Sequence, residues 1–116
     1  MMADLVVKAA YATVAEDDGL RFIGFVDALD EAYALFRQPL AGGPVWVEVN
    51  DEDFGAEDAI AAIEVREGSL EVTLKPELAG DFGYAGSFAV RLKHCEGADA
   101  ALAALSAMLG VDLRAG

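Results

Sequence analysis

The sequence predicts an α+β fold: a single domain, residues 1–116, whose antiparallel sheet of six to seven strands carries a C-terminal helix packed on one face. Three observations support this. Most of the chain alternates apolar and polar residues with period two, as strands with one buried face do. Clusters of Gly, Pro and Asp interrupt the alternation at short intervals. From Ala98 onward the apolar spacing lengthens to that of a helix. At 116 residues with 55% hydrophobic and 25% charged residues, the composition fits one globular core and excludes a disordered acidic chain. Folding a chain of this size removes roughly two-thirds of its unfolded surface from water.

The elements follow in chain order. Leu5, Val7, Ala9 and Tyr11 share one face of a strand over residues 4–14, and Leu20, Phe22, Gly24 and Val26 share one face of the next. Glu16-Asp17-Asp18-Gly19 lies between them, where Asp tolerates and Gly readily adopts left-handed dihedrals, so residues 4–28 read as a hairpin. A third strand from Glu31 to Gln38 stops at Pro39, which has no amide proton for a central ladder. After the loop Ala41-Gly42-Gly43-Pro44, an aliphatic face of Val45, Val47 and Val49 alternates with Trp46, Glu48 and Asn50. Ile60 to Arg66 and Leu70 to Lys75 form the clearest hairpin, turning at Glu67-Gly68 and ending at Pro76. A Gly-rich loop, residues 81–86, leads to a last strand bearing Phe88, Val90 and Leu92, and the aromatics of that loop are expected to cover a core edge. In the helix, Leu102, Leu105, Met108 and Leu109 form one stripe and Gly110 is the stop. A helix of about 12 residues is marginal alone in water, so its stripe is expected to dock on the sheet.

Electrostatics narrow the partners. Eight basic residues against 21 acidic ones give a formal charge of −13. Nucleic-acid binding needs a basic stripe to displace phosphate counterions, and none is read from the sequence, so a basic protein is the expected partner. Apolar runs of the roughly 18 to 20 residues that span a bilayer are interrupted by charges, and no membrane association is expected. The N-terminal Met1-Met2-Ala3-Asp4 carries an acid where a secretory signal carries positive charge. A single cysteine, Cys95, can form no internal disulfide, which suits a reducing compartment, and the cytoplasm is the expected location.

Candidate chemistry is sparse. His94-Cys95-Glu96 places a base, a nucleophile and an acid together, but strand neighbours point to opposite faces, so no enzyme is expected and neither residue is assigned a catalytic role. One Cys and one His cannot make an ordinary zinc site. Gly42-Gly43-Pro44 lacks the Lys-Ser/Thr ending of a phosphate loop, and no cofactor is expected. Residues 50–58 hold five acids, yet counted from Asp51 the glycine falls at the fifth position with no glutamate at the twelfth, unlike an EF-hand. The reading that remains is a contact surface formed by Glu48, Asp51, Asp53, Phe54, Glu57 and Asp58, with Phe54 as apolar anchor among carboxylates beside Trp46. Alternatives are a small-ligand or metal site on loop 50–58, a merely solvated loop, and a structural subunit whose exposed strand edge pairs in a homodimer.

The order of elements resembles the immunity protein 10 family, small bacterial proteins that protect the cell from a polymorphic toxin. The resemblance spans roughly residues 20–110 and rests on Tyr33-Ala34-Leu35-Phe36-Arg37-Gln38, on Val45-Trp46-Val47-Glu48, on the acidic loop, on the hairpin from Ile60 to Leu74, and on the leucine-bearing helix. The chain departs from the family pattern with Phe36-Arg37-Gln38 in place of a Gln-Arg pair and Phe54-Gly55-Ala56 in place of a Tyr-Gly-Gly stretch. The resemblance implies stoichiometric binding and inhibition of a toxin domain, without catalysis or cofactor.

Overall fold

The computed structural model describes residues 3–114. Eight strands run β1 (Leu5–Asp17), β2 (Leu20–Asp27), β3 (Tyr33–Pro39), β4 (Trp46–Val49), β5 (Gly55–Glu57), β6 (Ile60–Arg66), β7 (Ser69–Leu74) and β8 (Ser87–Arg91). A 3-10 helix, Pro76–Phe82, joins β7 to β8, and a helix, α1 (Ala98–Leu109), closes the chain. All strands form one sheet in the order β5-β4-β3-β2-β1-β8-β7-β6.

The α+β class and the C-terminal helix are as expected, but the sheet is eight-stranded and mixed rather than six- or seven-stranded and antiparallel. The additional strand is β5, whose three residues are too few to show a period. The parallel pair is β1 with β8, from Leu5↔Phe88 to Lys8↔Arg91. Short turns force their neighbours antiparallel, whereas strands from opposite ends of the chain have no such constraint.

Both expected tight hairpins form. Asp18-Gly19 (φ 51° and 76°) and Glu67-Gly68 (φ 51° and 77°) each hold two positive φ values, which matches the right-handed twist of the flanking strands. Inward alternation then builds the core from Val7 and Ala9 of β1, Ile23 and Phe25 of β2, Ala34 and Phe36 of β3, Val47 and Val49 of β4, and their counterparts on β7 and β8. A bulge between Ala9 and Tyr11 reverses the faces of β1, so Tyr11 turns outward although Val7 and Ala9 point inward. On β2 the buried residues are Ile23 and Phe25, and Phe22, Gly24 and Val26 lie on the outer face, half-buried.

The sheet is coiled almost into a barrel. The Phe36 and Phe88 rings lie 6.3 Å apart, yet β3 and β8 are three places apart in the sheet, about 14 Å if it were flat. At the two ends of the order, β5 and β6 are consecutive in the chain, joined only through Asp58 and Ala59. The helix lies against β1 and β2, with Ala101, Leu102 and Leu105 in the core and Met108 and Leu109 partly buried against it. Its entry depends on Gly97. The Glu96 carbonyl accepts the Ala12 N–H at 2.7 Å, and a Cβ on residue 97, whose φ is 80°, would lie 2.8 Å from the Ala12 carbonyl oxygen. Only glycine satisfies both the dihedral and the contact. At the other end Gly110 (φ 68°) caps the helix, its N–H donating to the Ser106 carbonyl.

Of the Gly-rich loop aromatics, Phe82 is buried in the core and Tyr84 is exposed. No helix among the described residues is long and apolar enough to cross a membrane.

Candidate functional site

Pairing on the β3-β4-β5 side sets which side chains meet on its outer face. Since Phe36, Val47 and Ala56 point inward, the cross-strand rows Arg37↔Trp46↔Glu57 and Leu35↔Glu48↔Gly55 point outward. Trp46 covers Gly55 so closely that a Cβ there would come within 2.5 Å of the indole Cζ2 and 2.8 Å of the Val47 carbonyl oxygen. The Arg37 guanidinium lies 4.8 Å from the Trp46 ring centroid, within cation–π range.

Glu48 sits between these groups and is the one buried charged residue among those described. Its Oε1 accepts the Trp46 Nε1–H at 2.9 Å, and its Oε2 accepts the Tyr33 hydroxyl. A buried carboxylate without hydrogen-bond donors would be costly, and here two aromatic side chains supply them. The same bonds fix the orientation of both rings. Burial first, and the bond to Glu48 second, push the Tyr33 phenol well above its ordinary value, so it remains a donor at neutral pH. The result is an ordered aromatic platform with one cation on its face and Glu57 exposed at its margin.

The sequence-expected residues occupy four places. Glu48 and Glu57 belong to the Trp46 platform, Glu48 beneath the surface and Glu57 on it. Asp51 and Asp53 are exposed in the β4–β5 turn, where the Asp51 carboxylate accepts the Asp53 N–H at 2.8 Å and its carbonyl accepts the Phe54 N–H at 2.9 Å. Asp58, with φ 54°, lies at the link to β6 and forms an ion pair with Lys75 at 3.0 Å. Phe54 does not join Trp46 and Glu48. Its carbonyl accepts the Val49 N–H, which gives it the parity of the inward face, and its exposed ring turns toward Gly83 beside Val49 and Phe82. The acids therefore fringe the platform instead of encircling Phe54.

Sequence reasoning missed Tyr33 and Arg37 as members of the site. Their signal was present in β3, where Tyr33, Leu35 and Arg37 alternate just as Trp46 and Glu48 do in β4. What was missing was the register across the intervening loop.

Elsewhere, His94 is exposed while Cys95 is half-buried, and its thiol is pushed up by that burial. The Cys95 Sγ points to its neighbour's carbonyl, Glu96 O, at 3.7 Å. Among the described residues, no group of three or more His, Cys, Asp or Glu side chains converges in a way that could hold a metal ion. Comparison with family models, curated proteins and solved structures finds no significant match to this chain.

Proposed function

We propose that this chain is a non-catalytic binding protein that captures a basic protein partner, in the manner of an immunity protein neutralising a toxin domain. The observation that carries this reading is the platform of Trp46, Tyr33 and Arg37, held by buried Glu48 and fringed by Glu57, Asp51 and Asp53. Interface hot spots favour Trp, Tyr and Arg, and rings already locked in place lose little entropy on docking. The surrounding negative charge, part of a net −13, steers a basic partner and repels acidic competitors.

The test begins by recovering partners from the source cell with the wild-type protein and with an Asp51→Lys/Asp53→Lys/Asp58→Lys bait in parallel. Association rates of each partner that the wild type recovers are then measured, for the wild type and for each variant, from about 10 to 150 mM salt, over which the Debye length contracts from roughly 30 to 8 Å. Association should slow steeply with salt and with charge reversal, whereas Trp46→Ala should act mainly on dissociation and Phe54→Ala, whose ring lies off the platform, should have little effect on either rate. A partner that binds every variant equally, with rates indifferent to salt, would place the interface elsewhere.

A further inference from the structure

Outward side chains on the other half of the sheet gather positive charge. Val7, Leu70 and Val90 point into the core, so their neighbours Lys8, Ser69 and Arg91 point out, and the register aligns them in one row, Lys8↔Arg91↔Ser69. Just past β8, Lys93 and His94 are held near the Glu67-Gly68 turn by the Leu92 N–H, which donates to the Gly68 carbonyl at 2.9 Å. These groups meet around a cavity of about 370 Å³ lined by Lys8, Arg91, Lys93, His94, Ser69 and Glu67. Ala10 and Ala28 add an apolar wall.

Three of the chain's eight Lys and Arg residues thus converge although acids number 21. Arg21, Arg66, Lys75 and Arg114 each have a carboxylate within ion-pair distance and Arg37 lies over the Trp46 ring, but among the described residues Lys8, Arg91 and Lys93 have neither. Like charges opposite one another on neighbouring strands destabilise a sheet unless an anion joins them. Among the lining residues, the three Lys and Arg cations less the one carboxylate of Glu67 leave about +2, which a phosphomonoester dianion neutralises.

We propose that this cavity binds the phosphoryl group of a small phosphomonoester. A guanidinium fork from Arg91, ammonium groups from Lys8 and Lys93, the Ser69 hydroxyl and the His94 ring supply the donors that phosphate oxygens take. The volume lies in the small-ligand range of about 300 to 1,000 Å³. Size also follows from charge, since a compact anion meets only this local field whereas a long polyanion would lie against the acidic remainder of the surface.

Isothermal titration at low salt with inorganic phosphate, AMP, adenosine and citrate tests the assignment on the whole chain. AMP and phosphate should bind one per chain and adenosine should not. AMP binding more tightly than phosphate would assign a nucleotide site, and equal binding a site for the phosphoryl group alone; both support the proposal. Arg91→Gln and Lys93→Gln should each weaken binding about tenfold, the loss expected for one charge-assisted hydrogen bond, while Arg21→Gln leaves it unchanged. All three positions lie on the surface or near it, and unliganded thermal melts matching the wild type would verify folding. The proposal is overturned by no saturable AMP or phosphate binding below about 10 mM, by Arg91→Gln and Lys93→Gln binding within about twofold of wild type, or by citrate or adenosine binding as tightly as AMP.

Discussion

Gly55→Ala should dismantle the Trp46 platform from a position that carries no functional group. The backbone there has no positive φ, so alanine meets no dihedral penalty; the penalty is entirely contact. The new Cβ would sit 2.5 Å from the indole and 2.8 Å from the Val47 carbonyl, and the ring is the only one of the two that can move away. Moving it breaks the 2.9 Å bond from Trp46 Nε1 to Glu48 and separates the ring from Arg37. A lost hydrogen bond to a charged group costs about 1.5 to 3 kcal/mol, and an exposed cation–π contact adds about 0.5 to 1. The expected destabilisation is therefore about 2 to 4 kcal/mol, a melting temperature lower by roughly 10 °C in a domain of this size. Urea unfolding followed by the fluorescence of Trp46, the single tryptophan, measures stability and environment together, and native emission should shift to the red. Gly80→Ala is the control, because its nearest neighbour is a Tyr84 ring atom 4.0 Å away, and it should be neutral or slightly stabilising. Gly55→Ala with unshifted native emission and a loss below about 0.5 kcal/mol would refute this account of the platform.

Three other perturbations probe the remaining structure. Leu105→Ala removes a fully buried side chain and should cost about 2 to 5 kcal/mol by urea melt, while a loss below about 0.5 would mean the helix is not docked through this residue. Tyr33→Phe should cost about 1 to 3 kcal/mol by leaving Glu48 one donor short, and it should also alter the alkaline limb of stability. Because the folded phenol titrates above its unfolded value near 10, its contribution is complete below about pH 10 and is lost as pH rises past it; the phenylalanine variant should show a shallower decline there. Replacing His94 and Cys95 together with Ala should leave folding and partner capture nearly intact, and loss of a biological activity in a folded Cys95→Ala variant, which keeps the His94 donor of the phosphoryl cavity, would restore the enzymatic reading.

Much of the chain was legible because its determinants are local. The Asp18-Gly19 and Glu67-Gly68 turns declare themselves through residues that tolerate positive φ, and Gly110 ends the helix for the same reason. Period-two alternation placed seven of the eight strands, and the spacing of Leu102, Leu105, Met108 and Leu109 identified the helix and the face it buries. The acidic character of the β4–β5 turn was equally plain, since it needs no partner strand to be seen.

Tertiary structure alone decided what those elements make together, because cross-strand register and sheet order depend on contacts far apart in sequence. The bulge after Ala9 turns Tyr11 outward, a one-residue change that no alternating pattern announces. Parity in β4 and β5 sends Phe54 to the inner side and joins Glu48 to Trp46 and Tyr33 through side-chain bonds. The parallel seam between β1 and β8 aligns Lys8 with Arg91 across 83 positions of chain and so gathers positive charge in a protein of formal charge −13. Periodicity records which face of a strand is buried; it carries no information about which strand lies alongside, and each of these sites is made by that neighbour.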